Sequence, residues 1–293
     1  VPKHNWLFSG LISAGLWGAA LPTSAQALLP YTPQLNPEKL EQQGVVLAQE
    51  AIQLFRFQQY EAALSRAELA AQLAPNLYQS WFILGSLYVQ QKKFSEGISV
   101  LHKAHALAPE EAEIFFSLGN AYFQAGDYST AVKELKQGLK LKPKEIDALF
   151  DLGNSYLKLN QPKEAIATYT KTIDLDEKFW PAINNIGLVK YEQGDVKGAI
   201  AQWDKALAID GQQAEPLLAK AVALYAQGQK AEGLKLGETA LTTDSSYGEL
   251  EFLRENLWGE RLLADAKTFL ELPEIQSLLK RLEAAPPQVE ISP

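Results

Sequence analysis

Residues 112–145 read AEIFFSLGNAYFQAGDYSTAVKELKQGLKLKPKE, and this stretch decides the fold. Two helices folded back on each other account for it. The first is expected over about Glu113–Ala125, where Phe115, Leu118, Tyr122 and Phe123 recur at helical spacing. Gly126-Asp127 is turn chemistry and ends it. The second is expected over about Tyr128–Leu141, with Val132, Leu135, Leu139 and Leu141 on one side. Pro143 stops it, because proline lacks the N–H that a helix interior requires. Gly119, Ala131 and Gly138 let two backbones approach, and aromatic side chains of the neighbouring helix are expected to fill the gaps they leave. One such pair cannot bury its apolar face alone.

The chain supplies the missing neighbours. At steps of 34 residues, one small column reads Ala51, Gly85, Gly119, Gly153, Gly187, Ala221. A second reads Ala63, Gly97, Ala131, Ala165, Ala199, Gly233, and a third Ala70, Ala104, Gly138, Thr172, Ala206, Ala240. Large apolar residues fill a fourth: Leu47, Trp81, Phe115, Leu149, Ile183, Leu217. Pro75, Pro109 and Pro143 close three copies, and Glu177 and Gly211 stand in their place in the next two.

In this spacing the chain resembles the tetratricopeptide repeat family, whose signature Trp81, Leu84, Gly85, Tyr88, Leu101 and Pro109 follow in order. The resemblance covers residues 44–247, about six repeats. It implies an all-α fold: a right-handed superhelical solenoid of helix-turn-helix repeats. Glu50 and Lys220 depart from the central pattern in the end repeats, where one side faces solvent.

The flanks divide accordingly. Residues 1–27 read as an export signal: Lys3, an uncharged apolar run over residues 6–21, Pro22, and the small residues Ala25-Gln26-Ala27 of a cleavage site. The alternative is an uncleaved membrane anchor, since no charge lies between Lys3 and Glu38. Export would place the protein in a periplasm or thylakoid lumen; the anchor would fix it to a membrane. Residues 28–43 read as a linker kept extended by Pro30, Pro33 and Pro37. After Tyr247 the period fails. Residues 248–284 read as three capping helices, with Trp258, Leu262 and Leu263 as a competing docking patch, and residues 285–293 as a tail.

Composition narrows the chemistry. A formal charge of −8 and no basic stripe argue against nucleic acid, whose binding rests on neutralising phosphates. Without cysteine there is no thiol catalysis, disulfide or Cys-ligated metal. His102 and His105, three apart on one helix, would need Glu110, Glu111 or Glu113 to complete a metal site, so a solvated helix face is the simpler reading. No nucleophile elbow, P-loop or dinucleotide fingerprint occurs. Neither an enzyme nor a cofactor is expected. An envelope protein that binds a metal or small ligand through the two histidines is the alternative.

The family resemblance places the first helix of each repeat along a concave groove that holds a peptide or helix of a partner protein. By that resemblance the groove would be lined by Phe82, Phe116 and Phe150, by Asn120 and Asn154, by Phe123, and in the next repeat by Asn184 and Tyr191. Aromatic faces would supply apolar contact and asparagines would pair with backbone groups. The family's dicarboxylate clamp is not expected. Asn154 and Asn185 occupy its asparagine columns, but Phe150, Glu215 and Ala219 stand where it needs cations. The function implied is a non-catalytic scaffold or assembly factor outside the cytoplasm. By analogy with exported cyanobacterial or plastid repeat proteins, its partner would be a subunit of a photosynthetic membrane complex.

Overall fold

The computed structural model describes residues 36–284. The export signal or anchor, the linker up to residue 35, His4 and the tail all lie outside the described residues.

Six helix pairs follow one another. They are α1 (Pro37–Arg56) with α2 (Tyr60–Leu73), α3 (Tyr78–Gln90) with α4 (Phe94–Leu107), and α5 (Ala112–Gln124) with α6 (Tyr128–Leu141). Then come α7 (Ile146–Lys158) with α8 (Pro162–Leu175), α9 (Trp180–Glu192) with α10 (Val196–Ile209), and α11 (Ala214–Ala226) with α12 (Lys230–Thr243). A single 3-10 turn, Ser245–Gly248, leads into α13 (Leu250–Glu255), α14 (Glu260–Leu270) and α15 (Pro273–Ala284). The architecture is all-α, with no strand among the described residues. Helix α1 starts at Pro37, so residues 37–43, expected to be extended linker, form its first two turns. Proline there is harmless, since the first helical N–H has no intrahelical partner anyway.

Each pair turns over at a residue with positive φ: Gln58, Lys92, Gly126, Asn160, Gly194 and Gly228, spaced by the repeat itself. Only the left-handed region reverses the chain so tightly, and glycine reaches it without steric cost. Where Asp follows, it starts the next helix. Asp127 accepts the Thr130 N–H at 3.1 Å and Asp195 the Gly198 N–H at 2.9 Å.

The small columns do what their size permits, with a correction. A Cβ on Gly119 would meet Leu135 at 2.5 Å, so an aliphatic side chain fills that gap. Aromatics fill the equivalent gaps only later in the stack, where Tyr169 lies against Gly153 and Trp203 against Gly187. At Gly138 the filling ring is Phe116. In the last repeat the filling residue is itself a glycine, Gly237, and Phe269 of α14 inserts in its place. The C-terminal helix thus completes the sixth repeat.

Helix α14 does more than cover the end. It packs on both α11 and α9. Trp258, Leu262, Leu263, Ala266 and Phe269 join Leu188, Tyr191, Leu218, Ala219 and Val222 in one apolar cluster. Of the two readings of Trp258, Leu262 and Leu263, the structure supports capping and removes the competing docking patch. All three are buried, with Leu262 fully enclosed, because they cover the groove-facing columns of the last two repeats.

Candidate functional site

The first helices of the repeats form a groove whose two ends differ. In repeats five and six α14 already occupies it. Glu192, at the end of α9, accepts the backbone N–H groups of Leu262 at 2.9 Å and Arg261 at 3.1 Å. These are the unpaired donors at the positive end of α14, where a carboxylate is favoured. The Arg261 guanidinium lies 5.3 Å from the Tyr191 ring centroid. Tyr191 donates its hydroxyl to Asp265 at 2.6 Å, and burial raises its pKa. Trp258 Nε1 donates to Glu215 at 3.2 Å. Burial pushes the Glu215 carboxyl up to about 7, against the pull of Trp258 and Asn184 toward the charged form.

Two residues expected to meet a partner are therefore withdrawn from it. Asn184 is fully buried and Tyr191 nearly so. Asn184 donates to Asn185 Oδ1 at 3.1 Å. Asn185 donates to Asn154 Oδ1 at 3.0 Å, and the same oxygen accepts the Tyr169 hydroxyl at 2.8 Å. This amide ladder ties the first helices α7 and α9 together, with Tyr169 of α8 joined to it. Only the outer end, Asn154, remains half-buried, with its carbonyl oxygen used twice internally.

In repeats one to four the groove is open. A cavity of about 550 Å³ is lined by Ile52 and Phe55 of α1, Phe82, Ser86 and Val89 of α3, and Phe116, Ser117 and Asn120 of α5, among others. The Asn120 amide has no hydrogen-bond partner among the described residues. Next to this cavity lies a smaller one of about 290 Å³, which shares Phe82, Phe116 and Ser117 with it. Its remaining lining is Glu113, Glu145, Asp147, Ala148 and Asp151. Asp151 is pushed up to about 6, first by burial and then by the charge of Asp147.

Phe82 and Phe116 thus line both cavities, while Phe116 also packs into the Gly138 gap. Phe150 sits apart from both. Its ring lies 5.2 Å from that of Phe179 and 5.8 Å from that of Tyr169, at the seam between the open and closed parts. Phe123 stacks edge-on to Tyr128 at 5.3 Å, over the repeat turn. Sequence reasoning missed the acidic residues. Asp147 and Asp151 line the smaller cavity, and no motif or spacing in the sequence singles them out.

The two described histidines, His102 and His105, each meet an aromatic side chain. His102 Nε2 pairs with the Tyr122 hydroxyl at 3.0 Å, and His105 lies edge-on to Phe115 at 4.7 Å. Among the described residues no group of three or more His, Asp or Glu is placed to hold a metal ion. No described helix is long and apolar enough to cross a membrane.

Paired helices at constant period, with a groove along the first members, define a repeat scaffold. The chain is a tetratricopeptide repeat protein: "TPR repeat" sequence models match residues 119–160 and 187–228, and "Tetratricopeptide repeat" models match 78–111 and 146–179. Repeats of this family are typically non-catalytic scaffolds that bind protein partners or peptides. No curated protein matches the chain. Among solved structures it is similar to PilW, described as a widely conserved type IV pilus biogenesis factor, at 19% identity and a TM-score of 0.64, over 80% of this chain and 98% of that one. It is also similar to PilF of Pseudomonas aeruginosa, at 16% identity and a TM-score of 0.61, over 75% and 97% of the two chains. A third likeness is to YrrB, described as a TPR protein with an unusual peptide-binding site, at 20% identity and a TM-score of 0.53, over 65% and 95%.

Proposed function

We propose that the protein is an interaction scaffold or assembly factor that works outside the cytoplasm and holds a peptide or helix of a partner protein in the groove of repeats one to four. One observation carries this reading. Along repeats five and six the groove is filled by a helix of the same chain, and along repeats one to four it is left open with Phe82, Phe116, Ser117 and Asn120 along it. The same face of the first helices packs a helix at repeats five and six, and at repeats one to four it keeps rings and polar groups that a partner's side chains and backbone can meet.

The partner we propose is a subunit of a membrane complex, photosynthetic if the host has one. Residues 1–27, with Lys3, the apolar run over residues 6–21 and Ala25-Gln26-Ala27, have the pattern expected of an export signal, and this pattern favours a periplasmic or lumenal site of action. PilW, a pilus biogenesis factor, gives a precedent for this fold in assembly. The test is a pull-down from detergent-solubilised native membranes with the wild type and a Ser117→Arg/Asn120→Lys variant, both checked for helicity. This variant fills the groove floor without touching the phenylalanines that also pack the repeats. A membrane-complex subunit retained by the wild type and lost by the folded variant is the expected result. A subunit held equally by both would remove the groove from the function. Intact mass and carbonate extraction of native membranes test export: loss of residues 1–27 is expected, and retention with the membrane pellet would favour the anchor.

A further inference from the structure

The open groove has a charge pattern that selects its occupant. We infer that its natural occupant is an amphipathic helix whose apolar face is flanked by lysine or arginine, with the apolar residues seated against Phe82 and Phe116 and the cation against Asp147 and Asp151. This rests on the groove being the binding site.

Three observations lead there. The first is the pairing of the cavities. One is lined by rings, amides and the single cation Arg56, the other carries four carboxylates, and the two share Phe82, Phe116 and Ser117. A ligand anchored in the first places its neighbouring side chains over the second. The second is the lack of compensation. Among the described residues Glu113 is paired with Lys142, while neither Asp147 nor Asp151 has an ion-pair partner. No cation lines the acidic cavity. Burial makes that unbalanced charge costly for Asp151, as its raised pKa records, and a bound ammonium or guanidinium relieves the cost.

The third is the occupant already in place. In the closed half, α14 lays Leu262, Leu263 and Ala266 on the first helices and sets Arg261 over the Tyr191 ring, with its N-terminal N–H groups on Glu192. The groove meets its own helix with apolar contact along one face and acid or aromatic groups against positive charge. The open half offers the same two elements in adjoining cavities, with more acid. It is the opposite of a clamp for terminal carboxylates.

The probes are two labelled fifteen-residue helical peptides with the same leucine face, one flanked by lysine and the other by glutamate, titrated against the full chain by fluorescence anisotropy at fixed salt. We expect the lysine peptide to bind at least about tenfold tighter. Asp147→Asn/Asp151→Asn should erase about tenfold of that affinity. Glu232→Gln/Glu238→Gln, which removes the same charge from exposed positions on α12, should leave it unchanged. Equal binding of both peptides, lost with Ser117→Arg, would overturn the basic partner while keeping the groove. Lysine-peptide binding unaffected by Ser117→Arg or by the aspartate pair would overturn both. A synthetic peptide of residues 28–35 that outcompetes the lysine peptide would make the occupant the chain's own leading segment and also overturn the proposal.

Discussion

Repeats two to four and repeats five to six share a backbone plan and a column pattern, yet one set presents an open groove and the other a filled one. The difference lies in a few groove-facing columns. Phe82, Phe116 and Phe150 are succeeded in their column by Asn184 and Leu218, and Ser117 and Asp151 by Asn185 and Ala219. Loss of the rings makes room for a helix backbone, and the loss of exposed polar groups makes a dry contact possible. Gly237 removes one more side chain where Leu101, Leu135, Tyr169 and Trp203 precede it, and Phe269 enters. The lesson is that occupancy of a repeat groove is set by side-chain volume at two or three columns, on an unchanged scaffold.

The largest expected effect breaks the filled half. Phe269→Ala leaves a hole against Gly237 and Tyr225 and should cost about 3–5 kcal/mol in equilibrium urea unfolding. Phe82→Ala, at a half-buried groove position, should cost only about 1–2 kcal/mol. Equal costs would mean that the two halves are packed alike.

Next in size is the pH effect that Glu215 contributes in the filled half, reaching above the range near pH 6 where Asp151 of the open half acts. Glu215 has a folded-state pKa near 7, raised by burial, against an ordinary 4.5. From pH 4.5 upward the unfolded chain releases this proton while the folded chain keeps it. The Glu215 contribution is therefore full below pH 4.5, declines to about pH 7, and is then flat, by roughly 3 kcal/mol in all at about 1.4 kcal/mol per unit. Glu215→Gln should remove the slope between about pH 6 and 7, above the range of Asp151, and melt higher than wild type at pH 8. An unchanged slope would show that water reaches the carboxyl.

The fold was legible because its signal is periodic. Columns such as Gly85, Gly119, Gly153 and Gly187 need no knowledge of the third dimension, and Gly126-Asp127 and Gly194-Asp195 mark turns by residue type. The site was legible only in part. Asn184 and Tyr191 stand in groove columns, and nothing local distinguishes them from Phe116 and Phe123; what buries them is a helix some 70 residues further along the chain, anchored by Glu192 on Leu262. One clue was present. Gly237, where earlier repeats carry a large residue, asks for a side chain from elsewhere. Asp147 and Asp151 were missed because a charge on a helix reads as solvated until a cavity is seen around it.

A smaller contrast lies in the turns. The first two turns hold Gln58 and Lys92 at positive φ, the next two, still beside the open half, Gly126 and Asn160, and the two beside the filled half Gly194 and Gly228. Lys92→Gly should gain about 0.5–1 kcal/mol by relieving left-handed strain. Gly194→Ala should lose about 1 kcal/mol, because its Cβ would add that strain and stand 3.0 Å from Arg261 Nη1. Thermal melts of both variants check the signs. Two losses would mean that the strain at Lys92 is offset by contacts of its side chain.

The smallest stability effect separates binding from folding most cleanly. Asn120 has no partner within the described chain, so Asn120→Ala should change stability by less than about 0.5 kcal/mol. Asn154, in the same column one repeat later, accepts from both Tyr169 and Asn185. Asn154→Ala strands both donors and should cost about 1–3 kcal/mol. The order reverses for the lysine-flanked peptide. Asn120→Ala should weaken it several-fold, since a free amide in the open cavity is what a ligand backbone meets, while Asn154→Ala should leave it near wild-type affinity at temperatures where the chain is folded. If both substitutions weakened the peptide equally, the boundary between the open and filled halves would lie one repeat nearer the C-terminus than Phe150.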